Sequence, residues 1–251
     1  MLSTILKEAA RVAQEIAFVG DPHGDYSPVA RLASARPAAA VFLGDMDLER
    51  PFDDEMKPLA RGVVEVLYIH GNHDTDREHW HDNLFDTDLG RSGNLTGRVA
   101  EVAGVRIAGL GGVFREKVWH PKNGDGEPRF RTRADFMAAN MRSAWRGGLP
   151  RGQRSTIFWE DIEAFDGQSA DVLVTHEAPS CHRYGFKEID FLAEMLGAKA
   201  IVHGHHHESV AGKLPSGIEV IGLDKAEVLM VPAAELHVQG WISRLAGNRA
   251  A

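Results

Sequence analysis

Five short polar segments, each placed directly after a run of apolar residues, are the feature that most constrains the fold of this chain. Apolar runs such as 16–19, 41–43 and 172–174 have the length and composition of buried strands. Helix-like stretches separate the first of these runs, and the alternation predicts an α/β fold with central strands covered on both faces. The polar segments are Asp21-Pro22-His23, Gly44-Asp45, Gly71-Asn72-His73-Asp74, Thr175-His176-Glu177 and Gly204-His205-His206-His207.

The same pattern predicts the other elements. Residues 98–102 and 105–110 flank Ala103-Gly104 as in a hairpin, and residues 209–243 alternate as antiparallel strands do. Helices are predicted over residues 2–14, 26–35, 52–62, 132–145 and 155–165. We therefore predict one domain over residues 1–251, with residues 113–160 as an insertion or cap at its rim.

The sequence contains a single cysteine, Cys181, which bears on disulfide formation and on the cellular compartment. One cysteine cannot form an intrachain disulfide, which suits a reducing cytoplasm. No apolar run approaches the length of a membrane span, and the N-terminus has no uninterrupted apolar stretch of signal-peptide length. The sequence predicts a cytoplasmic protein without a membrane partner.

The charge is unevenly distributed. The net charge of the 251 residues is -8, so the protein as a whole does not have the charge of a nucleic-acid binder. Between Arg115 and Arg154, however, ten Lys and Arg face four Asp and Glu, so this segment carries +6 and the remainder -14. Such a segment is either a solvated face or a cap that attracts an anionic substrate, and Arg115 and Arg131 are candidate substrate-binding residues.

The polar segments together carry the donor groups of a metal centre. Asp21 and His23 are two residues apart, so in extended backbone both side chains point to one side. Asp45 offers a carboxylate that can bridge two cations, and Asn72 offers a neutral amide oxygen. Nitrogen and oxygen ligands without thiolate suit Mn, Fe, Zn or Ni. The imidazole ligands of this set would be His23, His176, His205 and His207.

The order Asp-x-His, Gly-Asp, Gly-Asn-His-Asp, a lone His and Gly-His-x-His resembles that of the calcineurin-like metallophosphoesterase superfamily. The resemblance implies a four-layer α/β/β/α sandwich and two divalent transition-metal ions, with Mn favoured. It implies that Asp21, His23 and His207 bind the first ion. It assigns Asn72, His176 and His205 to the second ion and Asp45, with a water or hydroxide, to the bridge.

The resemblance also assigns His73 and Asp74. His73 would contact the substrate phosphate together with Asn72 and protonate the leaving group, and Asp74 would orient His73. Phosphoprotein phosphatases of the superfamily carry Gly-Asp-x-x-Asp-Arg-Gly, whereas this chain has Asp47 one residue early and no Arg-Gly pair. That departure argues against a protein phosphatase and leaves the role of Asp47 open.

The implied reaction is hydrolysis of a phosphate ester by a water that two cations activate. The basic segment favours a phosphodiester or nucleotide substrate, including nucleic acid. A phosphomonoesterase acting on a phosphorylated small molecule or a protein remains the alternative. A non-catalytic scaffold with a relic metal site is a third interpretation, which the presence of His73 and of all seven ligands disfavours.

Overall fold

Two β-sheets lie at the centre of the protein, in a computed structural model that describes residues 14–242. The strands are β1 (Glu15–Val19), β2 (Ala39–Phe42), β3 (Glu65–Tyr68), β4 (Arg98–Val102), β5 (Val105–Leu110), β6 (Val172–Thr175), β7 (Ala200–His203), β8 (Val210–Lys213), β9 (Glu219–Gly222) and β10 (Val228–Pro232). The first sheet has the order β10-β1-β2-β3 and the second the order β4-β5-β6-β7-β9-β8.

The central strands of both sheets are parallel. β1, β2 and β3 are parallel to one another, and so are β5, β6, β7 and β9. β10, β4 and β8 are antiparallel to their neighbours β1, β5 and β9. Parallel neighbours end at the same edge of a sheet, so the loops after β1, β2 and β3 share one edge of the first sheet, and those after β6 and β7 share one edge of the second.

Eight α-helices cover the sheets within the described residues. They are α1 (Ser27–Ala35), α2 (Phe52–Glu55), α3 (Lys57–Arg61), α4 (Glu78–Phe85), α5 (Asp88–Gly93), α6 (Arg133–Asn140), α7 (Trp159–Glu163) and α8 (Lys187–Leu196). Short 3-10 helices occur at His73–Thr75, Met141–Ser143, Arg151–Gln153 and Ala233–Glu235. Among residues 14–242, no helix combines the length and the apolar character needed to cross a bilayer.

Alternate residues of each strand face different layers, which produces the four-layer arrangement. Phe18 of β1 and Val174 of β6 belong to one buried cluster between the two sheets. The next residue along β1, Val19, instead packs with Leu32 of α1 on the outer face of the first sheet. Leu173 of β6 packs with residues of α8 on the outer face of the second sheet. The predicted α/β/β/α sandwich is confirmed.

Two of the predicted helices are shorter in the structure than expected, each for a different reason. The helix expected at 52–62 is divided at Met56, which ends α2 and precedes α3; Pro58 has no N–H to extend a hydrogen-bonded helix from the preceding turn. The helix expected at 155–165 is reduced to α7, because Val113 donates to Ser155 O and accepts from Ile157 N.

Other predictions were closer to the structure. The helix expected at 132–145 continues past α6 only as the 3-10 turn Met141–Ser143. The hairpin turn at Ala103 and Gly104 is confirmed, with φ of 51° and 84°. The stretch after residue 209 supplies β8 and β10, which pair antiparallel as predicted, and β9, which pairs antiparallel with β8 but parallel with β7. The helix predicted over residues 2–14 falls, apart from residue 14, outside the described residues.

Candidate metal centre

The predicted ligands converge at the carboxyl ends of the parallel strands, in two groups. Potential ligand atoms of Asp21, His23, Asp45 and His207 all lie within 4.8 Å of one another. Those of Asp45, His176 and His205 form a second group by the same measure. Asp45 is the residue that the two groups share, as predicted for a bridging carboxylate.

In the first group, the Nε2 atoms of two imidazoles approach each other closely. His23 Nε2 and His207 Nε2 lie 3.0 Å apart. His207 Nε2 is 3.3 Å from Asp21 Oδ2, and His23 Nε2 is 3.8 Å from Asp45 Oδ2. Nitrogen and carboxylate oxygen atoms therefore point at one small volume, in the manner of a set of metal ligands.

The second group is centred on His176, which is fully buried. Its Nε2 lies 3.3 Å from Asp45 Oδ2 and 3.2 Å from Asn72 Oδ1. The ring of His205 is next to it, with centroids 4.8 Å apart. The oxygen Asp45 Oδ2 thus lies near one imidazole of each group.

These residues fit a cation on three further counts. Asp21 Oδ1 is buried and has no hydrogen-bond partner within residues 14–242, although buried carboxylate oxygens are normally paired. Burial lowers the pKa of His176, but the carboxylates of Asp45 and Asp21 outweigh burial and raise that pKa to about 10. The site therefore favours positive charge. Burial and the neighbouring His176 lower the pKa of His205 to about 3, which leaves its lone pair free for a metal.

Hydrogen bonds to the far ring nitrogens orient two of the imidazoles. His23 Nδ1 lies 2.9 Å from Asp47 Oδ2, and His176 Nδ1 donates to Leu43 O at 2.8 Å. Each bond directs the opposite nitrogen, Nε2, into the centre, as a second layer of contacts does in metal sites. Asp47, whose role the sequence left open, is therefore a positioning residue.

Asp74 organises the backbone of the site. Its buried carboxylate accepts hydrogen bonds from the N–H groups of Asp45 (3.0 Å), Met46 (2.7 Å) and Gly71 (2.7 Å). Burial and the charge of Asp45 raise the pKa of Asp74 to about 7. These bonds join the loop after β2 to the loop after β3.

His73 is oriented by a different acid from the one predicted. His73 Nδ1 lies 2.7 Å from Asp76 Oδ2, while the hydrogen bonds of Asp74 all go to backbone N–H groups. The prediction that Asp74 orients His73 is wrong, because Asp74 is buried beneath the loop while Asp76 is at the surface, on the side of the ring. The His73 ring is 5.3 Å from that of His23 and 44% of the side chain is exposed.

Left-handed backbone is concentrated at the centre. The φ angles of the five non-glycine residues concerned lie between 44° and 70°, a region that non-glycine residues enter at a cost. Gly71 is required for space, since a Cβ there would lie 2.2 Å from Asp45 Oδ1. The five strained residues are His23, Asp45, Asp47, His205 and His207.

A pocket of about 500 Å³ adjoins the second group of ligands. The candidate substrate-binding residue Arg115 lines it. The other candidate, Arg131, does not: its guanidinium pairs with Glu163 at 3.1 Å and lies 4.6 Å from the Trp159 ring. The pocket lining consists of Asn72, Val113, Phe114, Arg115, His120, Lys122, Glu177, Tyr184, Phe186, His205 and His206.

His206 lies between two of the predicted ligands and is not itself one of them. Its ring stacks on His182 with centroids 4.2 Å apart, and it borders the pocket next to His205. The signal that could have pointed to it is its position between two ligands in a tight loop, where any side chain lies near the metals.

Comparison with known proteins agrees with this geometry. The family model of the calcineurin-like phosphoesterases matches residues 15–209. An uncharacterised protein of Haemophilus influenzae is 40% identical over 196 residues, which cover 77% of this chain and 84% of that protein.

Solved structures show the same fold. The protein TT1561 of Thermus thermophilus is 12% identical, with a TM-score of 0.53, and the match covers 88% of this chain and 99% of that one. A dimetal phosphatase from Danio rerio is also 12% identical, with a TM-score of 0.50 and coverage of 85% and 88%.

The chain belongs to the calcineurin-like phosphoesterase family. It is accordingly a metal-dependent phosphoester hydrolase of a family with dinuclear metal centres, and it has candidate metal-ligand groups.

Proposed function

We propose that the protein hydrolyses phosphodiester or nucleotide substrates at a centre of two divalent ions, with Mn²⁺ as the favoured metal. The observation that carries this proposal is Asp45 Oδ2, which lies 3.8 Å from His23 Nε2 and 3.3 Å from His176 Nε2. Asp21, His23 and His207 would hold one ion, and Asn72, His176 and His205 the other, with Asp45 between them. Two such ions, when bound, activate a water and neutralise charge on the phosphate oxygens.

The protein side chains supply the proton transfer and the positioning. Asp76 holds His73 through Nδ1, which leaves Nε2 as the nitrogen that contacts the phosphate and donates a proton to the leaving oxygen. Asp74 fixes the loop that carries Asp45, and Asp47 fixes His23. None of these roles requires a nucleophilic serine or cysteine.

The substrate side of the proposal rests on residues 113–160. Ser155 Oγ lies 3.4 Å from Asn72 O and accepts from Arg115 Nη2 at 3.1 Å, so this segment contacts the ligand loop. We propose that it forms one wall of the substrate pocket, where Asn72 contacts the phosphate at the metals and Arg115 contacts another part of the substrate. Arg131 remains a candidate for an extended substrate only. The single cysteine supports a cytoplasmic location.

The test is hydrolysis by purified protein loaded with Mn²⁺. Bis-p-nitrophenyl phosphate, p-nitrophenyl phosphate, a nucleotide panel and short RNA would be compared before and after metal removal with a chelator. We expect diester or nucleotide turnover that disappears with the metal and returns on adding Mn²⁺. Turnover of monoesters alone would replace the diester proposal by a phosphomonoesterase.

Two variants separate ligation from catalysis. Asp45→Asn should lose both bound metal and turnover. His73→Ala should keep the metal but lower kcat by about 10²-fold or more, most with poor leaving groups. Unchanged hydrolysis of a poor-leaving-group ester by His73→Ala would remove His73 from its proposed role.

A further inference from the structure

The pocket beside the second group of ligands contains cationic and N–H donor groups that the metal centre does not use. We propose that Arg115, His120 and Lys122 form a subsite for a second anionic group, so that the substrate class is phosphate esters that also carry a phosphate or carboxylate beyond the phosphoryl group at the metals. This inference rests on the proposed function and specifies the substrate of that same site.

Two buried nitrogen atoms at this wall have no partner. Arg115 Nε and His120 Nδ1 are buried without a hydrogen-bond partner within residues 14–242. An arginine Nε–H can only donate, and leaving a buried donor unpaired is unfavourable. The guanidinium is held in place at its other end, where Nη2 donates to Ser155 Oγ at 3.1 Å. An anionic ligand in the pocket would supply the missing acceptor.

Lys122 is fixed at the same wall. Its Nζ donates to Tyr184 O at 2.8 Å and lies 4.5 Å from the centroid of the Phe186 ring. An ammonium group has three N–H donors, so the bond to Tyr184 leaves two for a ligand. The ring of His120 packs edge-on against the same Phe186, with centroids 5.4 Å apart.

Arg115 and Lys122 differ from other cations of the segment in having no carboxylate at ion-pair distance within the described residues. Other arginines of the 113–160 segment form ion pairs: Arg133 with Glu160 and Asp161, and Arg146 with Glu78 and Asp82. Arg115 and Lys122 form no ion pair with any residue of the described part of the chain.

Among the residues that the structure describes, Glu177 is the one acidic residue in the pocket lining. It is 4% exposed, and its Oε1 accepts the Phe114 N–H at 3.1 Å. With Arg115 and Lys122 both charged, the pocket has a net positive charge even when Glu177 is ionised.

The subsite lies one side chain away from the metal ligands. Ser155 Oγ contacts both Arg115 Nη2 (3.1 Å) and Asn72 O (3.4 Å), and Asn72 and His205 themselves line the pocket. A substituent of a phosphoryl group held at the metals therefore enters this pocket. A hydroxyl there would supply one neutral acceptor, whereas a phosphate or carboxylate would supply several acceptor oxygens and a charge opposite to that of Arg115 and Lys122.

The experiment compares two ligands that differ in one phosphate. Thymidine 3′,5′-bisphosphate and thymidine 5′-monophosphate would be titrated by calorimetry into Mn²⁺-loaded protein. A His73→Asn background slows turnover and keeps the backbone bond from residue 73 to Asp45 Oδ1. We expect the bisphosphate to bind at least about tenfold more tightly, the value of one charge-assisted hydrogen bond.

Variants locate that preference. The preference is the Kd of the monophosphate divided by the Kd of the bisphosphate. Lys122→Met, at an exposed position, should reduce this ratio at least about threefold, and Arg115→Met should do the same. Arg142→Met removes an exposed cation of the same segment that does not line the pocket, and should leave the ratio unchanged. Because the readout is a ratio, a general loss of affinity cancels.

The outcomes are separable from those of the proposed function. A ratio near one in the parent protein, or equal losses for both ligands in Lys122→Met, would overturn the subsite. Absence of turnover in the wild-type protein would overturn the proposed function and leave the binding ratio measurable. If Arg115→Met does not fold, Lys122→Met alone decides the result.

Discussion

Asp47 holds His23 through a hydrogen bond of 2.9 Å between Oδ2 and Nδ1, and thereby directs Nε2 of His23 at His207 and Asp45. This hydrogen bond is the largest contribution to the raised pKa of His23. The carboxylate makes the imidazole a stronger ligand and restricts its rotation. Asp47 should therefore affect the metal ion at the first group without touching it.

Asp47→Asn should weaken metal binding at this group about tenfold, the lower end of what losing such a contact costs. Asparagine retains the shape and tolerates the left-handed backbone at φ 49°, so the change isolates the charge. Mn²⁺ titration followed by metal analysis would show one ion lost before the other. Asp54→Asn in α2, at an exposed site, is the matched control, and an unchanged Mn²⁺ affinity in Asp47→Asn would contradict the role.

Asp76→Asn should impair proton donation and leave the metals in place. Asparagine keeps an oxygen near Nδ1 but removes the carboxylate charge that strengthens the 2.7 Å hydrogen bond, so the His73 ring is held less firmly. We expect kcat to fall about tenfold with a phenyl ester and less with the p-nitrophenyl ester, since only the poorer leaving group depends on a proton. Equal losses with both esters, or a loss of bound Mn²⁺, would assign Asp76 another role.

Gly71→Ala should disable the centre through crowding. A Cβ at this position would lie 2.2 Å from Asp45 Oδ1 and 2.5 Å from His176 Cε1, so the bridging carboxylate must move. We expect loss of the second bound ion and at least about 10²-fold lower activity. Gly152→Ala, where a Cβ meets nothing within 4 Å, is the control. Wild-type metal content in Gly71→Ala would show that the loop relaxes.

The ligands could be predicted from the sequence because each follows a strand of the parallel type. Once β1 and β2 are recognised, sheet geometry places Asp21 and Asp45 at one edge, whereas His176 joins them only because the second sheet packs against the first. The division of the ligands between two ions came only from the resemblance of the motif order to the calcineurin-like superfamily.

The positioning acids could not be predicted in this way. Asp47, Asp74 and Asp76 are similar acidic residues near ligands, and only the path of the loops decides which carboxylate is buried against N–H groups and which faces an imidazole. Asp74 turns inward to three backbone donors, so Asp76 is left beside His73. The loss of the helix expected at 155–165 has the same origin, a long-range backbone pairing with Val113.

Arg133 joins the start of α6 to α7 through two carboxylates. Arg133 Nη1 lies 2.7 Å from Glu160 and 2.8 Å from Asp161, and its guanidinium is 4.9 Å from the Phe158 ring. Burial raises the pKa of Asp161, and Arg133 opposes that rise. Arg133→Met leaves this buried carboxylate uncompensated and should lower the free energy of unfolding by about 1–3 kcal/mol at neutral pH, less than for a fully buried pair because Arg133 is part-exposed.

The loss of stability in Arg133→Met should depend on pH through the ionisation of Asp161. Because the folded-state pKa of Asp161 lies above the unfolded value, its ionised form is unfavourable in the native state, and stability falls as pH rises through the folded pKa. The deficit of Arg133→Met should therefore shrink as the pH is lowered and Asp161 takes up a proton. Arg131→Met removes a half-exposed pair with Glu163 and should cost no more than about 1 kcal/mol. Thermal unfolding at several pH values measures both, and equal, pH-independent losses in the two variants would contradict the role of Asp161.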